Sequence, residues 1–365
     1  MKLRYITKIA VTGIFAAAAF AGFAVKGSTQ TQTKVVTAGQ KFKNIKVLND
    51  VPADQVGKIM NIMSASLGFD CAGCHVSGEK DFEKDDNHHK QTAREMIAMT
   101  MSINKQFFDG RPEVSCNTCH NGHERPQSLP SLMPPTQHSE APSRPVQPTV
   151  KPTIDQIIDR YTAALGGKEK IASVKSRSIT AKRIEPDGKT SEPEMIEQMP
   201  GKIRIETAYG EYKIVQLFDG EKASMTANGA PADVPADQLE QIKREAQLFA
   251  DPDLKSVYTK IEYRFTDKID GRDVYLVIAT LADNSRERLY FDTQTGLLVR
   301  RSVAMPTVIG QFQYQVDYSD YKDFGGVKLP ATIRYAMPDL SWTRVISEVK
   351  INTNIDPARS LQKAK

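Results

Sequence analysis

Three hydrophobic patterns follow one another along the chain of 365 residues. The first is an apolar run from Ile9 to Val25, which comes directly after the cations Lys2, Arg4 and Lys8. The second places apolar residues three and four positions apart, a spacing that predicts amphipathic helices. The third alternates apolar and polar residues, which predicts β-strands. The chain is therefore expected to have an apolar N-terminus, then a helical part, then a β part.

Two amphipathic helices are predicted in the helical part. The first has its apolar face at Val56, Ile59, Met60, Met63 and Leu67. The second has its apolar face at Ala93, Met96, Ile97, Thr100, Ile103 and Phe107, with Met99 beside them. Gly68 is expected to end the first helix, since glycine is common directly after a helix. Each helix thus carries methionines on or next to its apolar face.

The β part begins near Ser178 and is divided by turn pairs such as Asp187-Gly188 and Asp270-Gly271. Its alternation predicts about ten antiparallel strands. Thr153 and Gln156 form a capping box that predicts a helix just before the strands, with Gly166 and Gly167 at its end. One helical interruption within the β part is predicted from the apolar residues Leu239, Ile242, Ala246 and Phe249.

A proline-rich stretch separates the helical and β parts. Between Arg125 and Pro152, 28 residues include eight prolines, which disfavours helix and sheet and favours an extended spacer. We therefore predict four regions. They are a signal peptide or N-terminal anchor at 1–25, a mainly helical domain at 40–125, a Pro-rich linker at 126–152 and an antiparallel β domain at 153–365.

The basic charge balance belongs to the N-terminal region. The formal net charge is +5, and four of the positive residues are Lys2, Arg4, Lys8 and Lys26, which leaves +1 for the rest. Nucleic-acid binding needs a clustered basic face, so we expect no nucleic-acid partner. Cations followed by a short apolar run predict export. The predicted location is the periplasm, with membrane association through an uncleaved N-terminus as the alternative.

All four cysteines lie in two Cys-x-x-Cys-His motifs, Cys71–His75 and Cys116–His120. Two thiols in this spacing attach a c-type haem, and the adjacent histidine binds its iron. The alternatives are a thioredoxin-like pair and a Cys₄ zinc site, but zinc ribbons separate their pairs by roughly 15–20 residues. Here 41 residues intervene. We predict two covalently attached c-type haems, with the attaching residues Cys71, Cys74, Cys116 and Cys119 and the iron ligands His75 and His120.

A six-coordinate haem iron needs a second axial ligand. Methionine sulfur is a soft donor suited to iron, and Met/His ligation raises the reduction potential. Spacing leaves open which methionine of each helix would bind. Rival ligands for the second iron are His88, His89 and His123. The His88–His89 pair is expected in a solvated polar loop, and His123 is expected at the surface or the haem edge.

The segments 60–68 and 94–104, together with the motifs that follow them, resemble the cytochrome c subunit of photosynthetic reaction centres. The resemblance covers roughly residues 45–125. It implies that Met60 is the distal ligand of the haem on His75 and Met96 that of the haem on His120. The family has four haem motifs, so this chain resembles one half of it. A photosynthetic role does not follow from the resemblance.

The segments 271–277, 288–300 and 326–330 resemble the lipoprotein-carrier type of half-barrel found in envelope proteins. This implies a groove for an apolar ligand, and a β domain for docking or spacing is the alternative. The predicted fold class is multidomain α + β, with a small, mainly helical c-type dihaem domain, a Pro-rich linker and a mainly antiparallel β half-barrel.

These features predict an electron carrier and not an enzyme. Two haems in one small domain would pass single electrons between redox protein partners in the periplasm, with the chemistry supplied by iron. One alternative is a dihaem peroxidase-like enzyme, which requires an open axial position at one iron. The other is an envelope binding module whose β domain holds an apolar ligand.

Overall fold

The structure, a computed structural model, describes residues 35–76, 82–126, 151–232, 234, 242–246, 254–282 and 284–355. The predicted signal peptide and most of the predicted linker lie outside these residues. The described residues from Val36 onward form one compact unit, which includes both the helical and the β part. The boundaries predicted for the four regions stay predictions.

The N-terminal part is helical, as predicted. Its elements are α1 (Ala38–Lys41), α2 (Gln55–Leu67), a 3₁₀ turn (Cys71–Gly73), α3 (His88–Phe107) and α4 (Cys116–His120). The first predicted helix is α2 and the second is α3. Gly68 ends α2 in the left-handed conformation, with φ of 69°.

The expectation that His88 and His89 lie in a polar loop was wrong. Both residues belong to the first turn of α3. Asn87 begins this helix because its side-chain Oδ1 accepts a hydrogen bond from the His89 backbone N–H at 3.0 Å. The signal that begins this helix is a single capping asparagine among charged residues. Hydrophobic periodicity does not detect such a signal.

Gly68 lies against the turn that follows the second Cys-x-x-Cys-His motif. The backbone N–H of Gly122 donates to the Ser66 carbonyl at 2.8 Å, and a Cβ built on Gly68 would lie 2.6 Å from the Gly122 carbonyl oxygen. Only glycine fits this position, since the backbone is left-handed and the space is closed.

We expect Gly68→Ala to lower the free energy of unfolding by at least about 1–2 kcal/mol, the usual cost of a left-handed backbone for other residues. The matched control is Gly57→Ala in the first turn of α2, where nothing lies within 4 Å of the added Cβ. That variant is expected to gain roughly 0.5–1 kcal/mol in helix stability. Urea unfolding followed by circular dichroism measures both changes, and equal effects of the two variants would contradict this interpretation.

The C-terminal part begins with α5 (Ile154–Ala164), capped by Thr153 and Gln156 as predicted, and α6 (Lys168–Ser173). A short helix, α7 (Leu254–Val257), follows later. Of the predicted helical interruption, residues 242–245 are helical, whereas Leu239 and Phe249 lie outside the described residues.

The described strands form one open sheet in which every pair is antiparallel, which confirms the predicted fold class. The sheet has 13 strands in the order β6-β5-β4-β3-β2-β1-β13-β12-β11-β10-β9-β8-β7. They are β1 (Arg177–Ile184), β2 (Glu194–Met199), β3 (Lys202–Tyr209), β4 (Tyr212–Phe218), β5 (Ala223–Ala227), β6 (Ala230–Ala232), β7 (Lys260–Ile269), β8 (Arg272–Thr280), β9 (Arg286–Asp292), β10 (Leu298–Thr307), β11 (Gly310–Phe324), β12 (Val327–Ala336) and β13 (Ser341–Ile351).

Helices from both parts of the chain pack on the same face of this sheet. Leu329 and Tyr335 are six residues apart on β12, so their side chains point to one face. Leu329 lies in a cluster with Tyr161 and other residues of α5, and Tyr335 lies in a cluster with Ile59 and other residues of α2. The sheet therefore supports the helix that precedes the first haem motif.

The β part also touches the second motif. A Cβ built on Gly310, the first residue of β11, would lie 2.9 Å from the Cβ of Ser115, which directly precedes Cys116. Asp339, between β12 and β13, accepts a hydrogen bond from Asn61 of α2. Both motif-bearing segments are thus held against the sheet.

A buried ionic cluster joins β9 and β10. Glu287 accepts from Arg301 at 3.1 Å and from Arg244 at 2.7 Å, and the Tyr258 hydroxyl donates to its second oxygen. Burial alone would raise the pKa of Glu287, but the two arginines and Tyr258 outweigh it, so the pKa lies below its usual value of 4.5. The carboxylate stabilises the fold above pH 4.5, and this contribution is lost as the pH falls through the lowered pKa.

We expect Glu287→Gln to lower the free energy of unfolding at pH 7 by about 3–5 kcal/mol, because it removes one side of a buried ion pair. The difference from wild type is expected to shrink as the pH falls below 4.5. Urea unfolding at pH 7 and pH 4 measures it. Glu262→Gln, at an exposed pair with Lys260, is the control and should cost less than about 1 kcal/mol. If Glu287→Gln lowered the free energy of unfolding by the same amount at pH 7 and pH 4, this would contradict a lowered pKa for Glu287.

Candidate haem-binding site

The first motif follows the end of α2 in a tight turn. The Asp70 carboxylate accepts from the Gly73 backbone N–H at 3.2 Å, and the His75 backbone N–H donates to the Cys71 carbonyl at 2.9 Å. The Asn87 side chain donates to the Gly73 carbonyl at 3.1 Å. The turn that carries Cys71 is thereby tied to the beginning of α3.

His75 has a half-buried ring with one nitrogen that makes no hydrogen bond to the described residues. Its buried Nδ1 atom has no hydrogen-bond partner, and its ring packs edge-on against Phe82 at a centroid distance of 4.9 Å. Burial, followed by the charge of Lys90, lowers the pKa of His75. Neutral imidazole is the form that binds a metal, and a lowered pKa favours that form, which fits an iron ligand.

The second motif forms the short helix α4. Ser115 begins it, and the Ser115 backbone N–H donates to the Thr118 hydroxyl at 3.0 Å. With its proton on Nδ1, His120 donates to the backbone carbonyl of His123 at 3.0 Å. This bond orients the ring and leaves the Nε2 lone pair free for a metal. His123 itself is exposed, and its backbone is what positions His120.

Asn104 fixes the segment before the second motif. Its side chain donates to the Val114 carbonyl at 2.8 Å and accepts from the Val114 backbone N–H at 2.9 Å, and Asn104 is only 2% exposed. Sequence analysis missed this residue. The available signal was a polar residue at the spacing of the buried face of α3, four positions after Thr100.

A cleft between α3 and α4 encloses about 1030 Å³, part of it open to solvent. Its lining includes three of the predicted residues of the second haem, Cys116, Cys119 and His120, and the predicted distal ligand Met96. Met63, Met99, Cys74 and His89 also contribute. The structure thus brings Met96 and the second motif to one cleft and keeps His89 and Met99 as rival ligands there.

Of the predicted residues of the first haem, Cys74 alone lines this cleft. Cys71, His75 and Met60 are not among the residues that line this cleft. Met60 is half-buried and packs against the cluster between α2 and the sheet. Met63, one turn later on α2, is buried in that cluster and also reaches the cleft. The assignment of Met60 stays a prediction.

None of the four cysteines, all of which lie in the described part of the chain, is in a disulfide. Burial raises the pKa of Cys74 and of Cys116. Among the described residues, which include both motifs, no three Cys, His, Asp or Glu side chains converge as a metal site requires. The thiols, the oriented imidazole and the cleft fit a covalently held haem.

Residues 12–171 match the family model of the photosynthetic reaction centre cytochrome C subunit. The N-terminal region is thus similar to a c-type cytochrome. This confirms the predicted resemblance, and the family that the chain resembles implies a c-type haem. A curated relative, the photosynthetic reaction center cytochrome c subunit of Roseobacter denitrificans, is 32% identical over 97 residues. The match covers 24% of this chain and 26% of that protein, so the chain spans about a quarter of the relative.

The β part is similar to solved structures at low identity. A LolA superfamily protein from Nitrosomonas europaea is 12% identical, with 57% of this chain and 97% of that chain covered and a TM-score of 0.41. A DUF1329 family protein from Desulfovibrio piger is 11% identical, with 57% and 98% covered and a TM-score of 0.40. Neither likeness bears on what this chain binds.

Within the described part of the chain, no helix has the length and apolar character needed to cross a membrane.

Proposed function

We propose that this protein is a periplasmic dihaem c-type cytochrome that carries single electrons between redox protein partners. The observation that carries the proposal is the repeated unit of a methionine-bearing helix followed by a Cys-x-x-Cys-His turn, with Met96 and His120 on one cleft. The family match supports the c-type haem. The number of haems and their ligands are part of the proposal.

Each motif would hold one haem through its two cysteines and its histidine. When bound, a c-type haem supplies an iron centre that takes up and releases one electron. The chain holds the group in place with its thiols and orients His120 through the carbonyl of His123. Apolar residues of α3, including Ile97 and Ile103, line the cleft and limit the access of water. A lower local dielectric in turn affects the reduction potential.

A carrier and a peroxidase-like enzyme differ in whether one iron has an open axial position. With Met60 and Met96 as ligands, both irons are six-coordinate, and carbon monoxide should leave the absorption spectrum of the reduced protein unchanged. The variant Met96→Ala serves as the positive control, because it opens one position and should bind carbon monoxide. Binding by the wild-type protein would favour the enzyme.

The proposed location rests on the cations and the apolar run at residues 1–25. N-terminal sequencing of the purified holoprotein tests this part of the proposal. A mature chain that begins after the apolar run supports a cleaved signal peptide, and a chain that retains the run supports an N-terminal anchor.

A further inference from the structure

The hairpin that joins β10 and β11 has an apolar tip. Thr307 pairs with Gly310, so the turn between them consists of Val308 and Ile309. The Thr307 hydroxyl donates to the Gly310 carbonyl at 2.9 Å and accepts from the Ile309 backbone N–H at 3.4 Å, which holds the turn. Two-residue turns favour glycine, asparagine and aspartate, and loops usually lie at the surface. Here both turn residues are apolar and Ile309 is 0% exposed, so another part of the chain covers the tip.

The helical part of the chain covers this tip. Ile309 belongs to a buried cluster that also contains Ile59 of α2 and Ile97 of α3. Cys116 of the second motif packs against the same cluster. The hairpin therefore reaches the two helices that carry the predicted distal ligands, and it reaches the beginning of α4 as well.

Gly310 leaves no room for a side chain next to Ser115. A Cβ at position 310 would lie 2.9 Å from the Cβ of Ser115, which is closer than two such carbons approach in folded proteins. The Cβ of Ser115 is bonded directly to the backbone, so no change of rotamer relieves this contact. Gly310 also has a φ of 145°, a value that favours glycine. A side chain at position 310 would therefore displace the two backbone segments relative to each other.

A displacement at Ser115 reaches the second motif through short hydrogen bonds. The Ser115 backbone N–H donates to the Thr118 hydroxyl at 3.0 Å, and the Thr118 backbone N–H donates to the Ser115 carbonyl at 3.1 Å. These bonds join Ser115 to the first turn of α4, which spans Cys116–His120. On the other side, Asn104 of α3 holds Val114 through two hydrogen bonds. The segment that leads into α4 is thus fixed between α3 and the sheet.

We propose that the hairpin tip Val308–Gly310 is a positioning element for the second haem. By holding Ser115, the tip sets the direction of α4 and, with it, the placement of Cys116, Cys119 and His120. The groups that orient a ligating histidine tune the metal that it binds. The β part therefore takes part in setting the reduction potential of the second haem. This inference rests on the proposed function, since it assigns to the sheet a role in one of the two proposed redox centres.

A spectroelectrochemical redox titration of the Gly310→Ala holoprotein tests the positioning role. Replacing a group that orients a metal ligand changes metal affinity roughly 10–100-fold, and Gly310 acts less directly, through Ser115 and α4. We therefore expect roughly a three- to ten-fold change in the equilibrium between the oxidised and reduced forms of one haem. At 59 mV for each factor of ten in a one-electron centre, this is a shift of about 28–59 mV.

The matched control is Gly271→Ala, in the hairpin between β7 and β8. Gly271 has a φ of 78°, so alanine strains the backbone there as well. No described residue lies within 4 Å of the added Cβ. We expect this variant to lose stability in urea unfolding and to keep both reduction potentials at their wild-type values. A purely structural role of Gly310 would give the same result for Gly310→Ala.

If Gly310→Ala does not fold, Ile309→Val decides, because it removes only one methylene group from the buried tip. We expect it to shift one potential by roughly two-fold in the redox equilibrium, which is about 18 mV. Its control is Ile269→Val at the end of β7. Ile269 is 7% exposed and packs in a cluster of sheet residues, with Val274 and Val299. Ile269→Val should leave both potentials unchanged.

The outcomes separate this inference from the proposed function. Two reversible wild-type transitions that the hairpin-tip variants shift no more than their controls do would overturn the positioning role and leave the dihaem carrier standing. A wild-type protein without two reversible transitions would overturn both.

Discussion

Replacing Cys116 and Cys119 by serine is expected to leave one covalently bound haem per chain, half of the wild-type content. Two thiols in the Cys-x-x-Cys-His spacing attach one haem, and the two motifs occupy separate turns, the 3₁₀ turn Cys71–Gly73 and the helix α4. Loss of one pair should therefore spare the other. The pyridine haemochrome assay, normalised to protein, measures the content.

The matched control for the cysteine variants is Asn117→Ala. Asn117 lies between the two cysteines of the second motif and is exposed, so this change preserves the thiols and should retain two haems. Replacement of Cys71 and Cys74 should give the same half content through the first motif. A wild-type content of one haem, or full content after loss of either pair, would contradict the account.

Replacing Met96 by leucine is expected to lower the reduction potential of one haem by on the order of 0.1 V or more, because axial ligands set haem potentials over a range of about 0.8 V. The same variant should open a coordination position at that iron. Leucine conserves volume, and such changes usually cost less than about 1.5 kcal/mol in stability. Spectroelectrochemistry and the spin state of the ferric protein measure the effect.

Met99→Leu is the control for this ligand assignment. Met99 lies on the same helix, lines the same cleft and is 46% exposed, so a packing role alone would give both variants similar small effects. A change in potential after Met99→Leu but not after Met96→Leu would move the ligand to Met99. The pair Met60→Leu and Met63→Leu makes the same comparison for the first haem.

Local sequence signals predicted the individual elements well. Gly68 ends α2, and Thr153 with Gln156 begins α5, because each acts through backbone groups within one helical turn. The sheet has more strands than expected. The short strand β6 at the sheet edge and its neighbour β5 contain mostly small residues, which do not produce a clear alternation of apolar and polar positions.

Long-range contacts could not be predicted from the same signals. Hydrophobic periodicity shows that α2 has an apolar face but not which surface covers it, and the packing of Ile59 near Tyr335 joins residues far apart in the chain. The pairing of β1 with β13 also joins distant segments. Such contacts are determined by the whole fold.

The part of the candidate site that could be predicted is the part supplied by the Cys-x-x-Cys-His motifs themselves. The cysteines and histidines follow from their spacing, whereas Asn104 and the carbonyl of His123 act through hydrogen bonds that depend on the folded backbone. A cavity on the sheet that is lined by arginines was also not foreseen, since Arg177, Arg301 and Arg344 come from different strands. In the sequence, each of these arginines is indistinguishable from an ordinary strand residue.

The central claim is that one chain carries two c-type haems and passes single electrons. A spectroelectrochemical redox titration of the purified protein, with haem content measured on the same sample, tests it most directly. We predict two reversible one-electron transitions for two haems per chain. A single haem, or a haem centre that does not cycle reversibly between its oxidised and reduced forms, would contradict it.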